Sequence, residues 1–118
     1  MEDDPQREGV PGKSGAAMLV VLVTFPDLEK ARAVVKEIVS EGLAACASLV
    51  PKVESIYRWE GKVQQDAEAL AIFKVASQGF AKLETAIIAK HPYDTPEIVG
   101  IGADRVEKSY LAWVLAAD

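Results

Sequence analysis

The sequence predicts a single α+β domain whose elements run β-α-β-β-α-β, closed by a short helix. Three patterns lead there. Residues 18–24 form a continuous apolar, β-branched run of strand length. Two later stretches carry apolar residues at helical spacing. Between them lies a long alternating stretch with one two-residue turn, Glu60-Gly61, near its middle.

Taken in order, residues 18–24 lack alternation and read as a central strand covered on both faces. Thr24 is a candidate helix cap, Pro26 suits a first helical turn, and Asp27 complements the positive helix end. Leu28, Ala31, Val35, Ile38 and Val39 then mark a buried helical stripe, and Gly42 supplies the stop. Residues 43–50 are apolar and small. Pro51 interrupts them, and Val53, Ser55, Tyr57 and Trp59 follow on one face of an alternating segment. One long strand, kinked or bulged at Pro51, accounts for both halves. Residues 62–75 are its partner, polar at first and apolar later, so the two make a long hairpin with a polar, aromatic tip. Ser77 is a candidate cap for the second helix, whose stripe is Phe80, Leu83, Ala86 and Ile87. Pro92 ends that helix, with Lys90 and His91 at its negative end. Pro96 opens a last strand, 97–103, and Val106, Tyr110, Trp113 and Val114 line one side of the final helix.

This order is the split βαβ, ferredoxin-like arrangement, an antiparallel sheet with both main helices on one face. The other face then has no helix of its own, and the hairpin outreaches so small a domain. Both features predict a partner, and symmetric self-association supplies one most simply.

The bulk composition sets limits. With 118 residues there is room for one domain. Residues 1–17 read as a flexible tail, because residues 1–15 hold few apolar side chains to offset chain entropy. Residues 18–118 are the folded domain. The net charge of -5 and the lack of a basic stripe argue against nucleic acid. The apolar run at 16–23 is far short of the roughly 20 residues that cross a bilayer, so no membrane partner is expected. The single cysteine, Cys46, rules out a disulfide within the chain and fits a reducing cytoplasm.

Several strings are specific together. They are Thr24-Phe25-Pro26-Asp27, Ala44-Ala45-Cys46-Ala47, the hairpin tip from Ser55-Ile56-Tyr57-Arg58-Trp59 to Glu60-Gly61-Lys62, and His91-Pro92-Tyr93-Asp94-Thr95-Pro96-Glu97-Ile98. Their order and spacing resemble those of the CutA divalent-cation tolerance family, over residues 18 to about 115. The resemblance implies a homotrimer similar in architecture to the PII signalling proteins, and a role in tolerance to copper and other divalent cations. Some bacterial members carry a cysteine where this chain has Val23 and a histidine pair where it has Lys90-His91, so the metal binding implied here is weak.

Candidate site residues follow from their chemistry. Cys46 would suit a soft cation as a thiolate and otherwise packs as a small apolar group. His91, the only histidine, is a candidate metal ligand with Asp94 or Glu97, completed at a subunit boundary. Its place at a helix end favours the protonated ring. Tyr57, Trp59 and Tyr93 are interface anchors or a stacking platform for a planar ligand. Lys62, Asp66, Glu68 and Lys74 read as a solvated row of mixed charge, or, for Lys62, Glu68 and Lys74, as contacts to a polar ligand in a cleft between subunits. No nucleophile is paired with a base and no glycine-rich phosphate loop occurs, so an enzyme is not expected.

Overall fold

A computed structural model describes residues 15–117. Its elements are β1 (Met18–Phe25), α1 (Leu28–Ser40), β2 (Cys46–Trp59), β3 (Lys62–Ala76), α2 (Phe80–Lys90), β4 (Val99–Gly102) and α3 (Lys108–Ala116). Of the expected tail, residues 1–14 lie outside the described residues. Its last two residues are tied to the domain: Ser77 N–H donates to the Ala17 carbonyl at 2.9 Å and its hydroxyl donates to the Ala16 carbonyl.

The four strands form one antiparallel sheet in the order β2-β3-β1-β4, as the split βαβ reading requires. Pleating sends alternate residues of each strand to opposite faces. Val21, Val23 and Phe25 of β1 and Ala69, Ala71 and Phe73 of β3 share one face. They pack in one core with Ala31, Val34, Val35 and Ile38 of α1 and Leu83 and Ile87 of α2. Each large side chain fully buried here contributes roughly 1.5–3 kcal/mol. Val20 and Leu22 turn to the other face and are only half-buried, so β1 is not covered equally on both faces within one chain.

That second face is not wholly bare. Cys46 is paired with Lys74, one residue out of phase with the core residue Phe73, and its Sγ lies 3.7 Å from the Tyr110 hydroxyl of α3. The C-terminal helix therefore covers one end of the face that α1 and α2 leave open. Of its expected stripe only Val114 is buried, while Trp113 is 51 % exposed.

Local chemistry sets the element ends. β1 runs one residue longer than its apolar run, pairing Thr24 with Leu70 and Phe25 with Ala69. Thr24 is thus in the sheet, and Asp27 is the cap of α1, accepting from Lys30 N–H at 2.8 Å. α1 ends in a Schellman motif: Gly42, at φ 73°, donates to the Val39 carbonyl and Leu43 to that of Ile38. Ser77 does not cap α2. It opens a single 3-10 turn, Ser77–Gly79, and spends its hydroxyl on the N-terminal strand entry. β4 is shorter than expected, because pairing to β1 begins only at Val99.

Candidate functional site

The site grows from the irregularity in β2. Val50 pairs with Leu70 and Val53 with Glu68, so three steps on β2 match two on β3. The extra residue at Pro51-Lys52 is a β-bulge. It puts Cys46, Ser48 and Val50 on the same face as Val53, Ser55 and Tyr57, although their numbers differ in parity. An uninterrupted strand would have sent Tyr57 to the opposite face from Val50. With the bulge, Tyr57 shares a face with Gln64, Asp66 and Glu68 of β3.

Two phenol–carboxylate pairs result. The Tyr57 hydroxyl donates to Asp66 Oδ2, and the Tyr93 hydroxyl donates to Glu68 Oε2 at 2.7 Å. The Tyr57 phenol is pushed up from its ordinary value, first by its bond to Asp66. Tyr93 is raised further, by its burial first and then by the bond to Glu68. A carboxylate beside a phenol resists a second negative charge, so these hydroxyls stay donors at any ordinary pH.

His91 fixes the loop that carries Tyr93. It caps the C-terminus of α2 and is 8 % exposed. Its ring stacks on Phe25 with centroids 4.5 Å apart. Nε2–H donates to the Thr24 carbonyl at 2.7 Å, and Nδ1 accepts from the Tyr93 backbone N–H at 3.1 Å. A carbonyl only accepts and an N–H only donates, so the partners dictate the neutral tautomer with its proton on Nε2. Burial lowers the pKa of the ring from 6.5, against the opposing pulls of the Thr24 carbonyl and the Glu68 charge. The expectation that the helix end favours the protonated ring is therefore reversed: desolvation outweighs the helix dipole. Neither nitrogen keeps a free lone pair, so a cation at His91 would have to displace the Tyr93 amide.

The other expected site residues lie apart from this cluster. Trp59 and Lys62 are cross-strand partners at the hairpin tip, where Trp59 is 62 % exposed. Cys46 and Lys74 pair at the opposite end of the hairpin, where Lys74 Nζ donates to Ser48 Oγ at 2.8 Å. Lys74 is six residues from Glu68 along β3, roughly 20 Å, so Cys46 and His91 cannot share one ion within one chain. Asp94 and Glu97 are exposed in the loop beyond Tyr93. Among the described residues no three His, Cys, Asp or Glu side chains are grouped to hold a metal. A concavity of about 510 Å³ near the chain start, lined by Gly15–Met18, Ala103–Val106 and Leu111, contains none of the expected residues. Asp66, read from the sequence as part of a solvated charge row, is the residue the site adds. Its i, i+2 spacing to Glu68 was the available signal, but only the bulge brings Tyr57 to it.

The fold and the cluster define a small ferredoxin-like α+β protein with a long aromatic hairpin and polar groups gathered at its flank. A family model described as CutA1 divalent ion tolerance protein matches residues 19–117, and the chain belongs to that family. It is 44% identical over 95 residues to the divalent-cation tolerance protein CutA of Thermus thermophilus, covering 80% of this chain and 92% of that one. It is 41% identical to the chloroplastic CutA of Arabidopsis thaliana, covering 81% of this chain and 53% of the plant protein. The solved structure of the Thermus thermophilus protein superposes with a TM-score of 0.80 at 43% identity, over 83% of this chain and 95% of that one. No described helix is long and apolar enough to cross a membrane.

Proposed function

We propose that the protein serves divalent-cation tolerance as a homotrimer, binding copper or another divalent cation weakly at the boundaries between subunits. The observation that carries this is the open side of the sheet. Val99 and Ile101 of the edge strand β4 are 45 % and 49 % exposed, on the face opposite the helical core. At the hairpin, Ile56, Trp59 and Val63 are more than 60 % exposed. Apolar surface of this extent asks for cover, and copies of the same chain provide it by symmetry. A cation site would then combine ligands from two copies: Asp94 and Glu97 offer hard oxygens, and Cys46 a separate soft donor. A binding role in the reducing cytoplasm, not catalysis, fits the same set of residues.

Calorimetry with copper and zinc tests the reading, on the wild type and on an Asp94→Asn, Glu97→Gln double variant. Binding in the micromolar to millimolar range that weakens in the double variant is expected. No heat up to about 1 mM metal would sink it, since ΔG° would then fall short of about 4 kcal/mol.

A second reading is favoured by the Tyr57–Asp66 and Tyr93–Glu68 pairs. In it the protein is a PII-like sensor whose cleft between subunits takes a small organic or anionic ligand. Trp59 would stack on the ligand and Lys62 would contribute charge, while Lys74, at the other end of the hairpin, would reach the same ligand only from a second copy. A thermal-shift screen of nucleotides and metabolites separates the two readings, because only this one expects a shift in metal-free buffer.

A further inference from the structure

His91 joins three parts of the fold: the end of β1, the end of α2 and the loop that places Tyr93 on β3. One of the two bonds of its ring requires the neutral form, the one in which Nδ1 accepts. Nε2–H holds the Thr24 carbonyl at 2.7 Å, and Nδ1 receives the Tyr93 N–H at 3.1 Å. A single residue, Pro92, separates His91 from the tyrosine whose phenol reaches Glu68 at 2.7 Å, and the two rings are in contact, centroids 4.9 Å apart. One of the bonds that hold the loop beside Tyr93 thus ends on Nδ1, and that atom is titratable.

We propose that His91 is a pH-sensitive latch on the hairpin cluster: the neutral ring holds the loop so that Tyr93 stays on Glu68, and protonation at Nδ1 releases both. A proton on Nδ1 sets two N–H donors head to head and leaves the Tyr93 amide without its acceptor. The same proton puts a positive charge near Glu68, whose carboxylate then has a second partner to turn to. The change biases a local element with two arrangements, Tyr93 on Glu68 or Glu68 turned toward the imidazolium.

The surroundings of the ring support this. β1 presents the Thr24 carbonyl and the uncharged Phe25 ring, and β3 presents the Glu68 charge. On α2 the neighbouring Lys90 is committed to α1, at 3.2 Å from Glu37 and 3.9 Å from Glu41. The loop presents the Tyr93 phenol, which stays protonated. Glu68 is thus the charge that would receive an imidazolium, and burial shifts the titration of the ring below its ordinary value of 6.5. The latch concerns the cluster of the second reading above, yet its test reads the loop and not a ligand, so the two fail separately.

The single histidine makes the test direct. The ring is titrated by NMR, and the hydrogen-exchange protection of the Tyr93 amide, corrected for the intrinsic pH effect, is followed from about pH 7.5 to about pH 5. A His91 midpoint below 6.5 and at least a fivefold loss of Tyr93 protection along that titration are expected. His91→Gln offers an N–H to Thr24 and an oxygen to the Tyr93 amide without titrating, so its Tyr93 protection should stay flat. A midpoint at or above 6.5, constant protection in the wild type, or an equal loss in His91→Gln overturns the latch. Should the variant not fold, the wild type decides alone: the Glu68 carboxyl carbon must shift with the His91 midpoint, and a shift only in the acidic carboxyl range overturns the proposal.

Discussion

Phe25 serves the core and the site at once. Its side chain is fully buried between sheet and helices, and its ring is the floor on which His91 stacks. Phe25→Ala should cost about 3–5 kcal/mol, read as a fall in the denaturant midpoint at unchanged slope. The same change should move the His91 pKa back up toward 6.5, because it removes part of the desolvation that lowers it. The lowered value has a consequence for stability. At His91 the unfolded chain binds a proton more readily than the folded one, so its contribution is present above pH 6.5 and is lost as pH falls through the lowered folded value. Denaturant melts of the wild type should therefore weaken through that window, and those of His91→Gln should not. Glu107 acts at lower pH. Its bonds to the Ser109 hydroxyl and N–H and to the Tyr110 N–H lower its pKa from 4.5, so the cap of α3 holds above 4.5 and fails as pH falls through the lowered value. At Asp27 the cap of α1 is a single bond, and Asp27→Ala should cost about 1 kcal/mol.

At the level of elements, the hairpin was the most legible part of the chain. Glu60 and Gly61 both have positive φ, 50° and 78°, the twist that a two-residue turn between antiparallel strands prefers. Gly61 adopts it freely, whereas Glu60 pays the left-handed penalty of a side chain with a Cβ. Glu60→Asn should thus raise stability by up to about 1 kcal/mol, seen as a higher melting temperature with the spectra unchanged. Pro51 foretold the bulge, because a proline cannot complete a regular ladder. Strand and helix ends were less legible. Thr24 and Ser77 have the chemistry of caps, but Thr24 is drawn into the sheet opposite Leu70, and the Ser77 hydroxyl is claimed by the Ala16 carbonyl at the N-terminal strand entry. Local propensity ranks such residues correctly and cannot tell which of two partners the fold brings nearer.

For the whole molecule, what matters is the surface left over. Helices α1 and α2 cover one face of the sheet, α3 reaches one end of the other, and the exposed apolar residues lie mainly on the remaining sheet edge, the hairpin tip and the outer side of α3. If copies cover the hairpin tip, Trp59→Ala should lower assembly before it lowers the core. Light scattering on dilution should then show dissociation at a concentration at least tenfold above that of the wild type, about 1.4 kcal/mol, while the far-UV spectrum of the intact protein stays the same. A Trp59→Ala variant whose mass stayed at three chains at every concentration where the wild type does would remove the hairpin tip from the interface.

The sequence by itself determined the order of elements, the sheet with its two helices, the bulge, the turn and the family strings, because all of these follow from periodicity and from residues with narrow backbone preferences. Only the tertiary structure decided which groups meet. Tyr57 reaches Asp66 through a frame shift in β2, Tyr93 reaches Glu68 across 25 positions, and His91 finds Thr24 across 67. The reason is physical: spacing along the chain fixes which face a side chain takes, but the tautomer of a histidine and the proton affinity of a phenol are set by partners that only packing brings within reach.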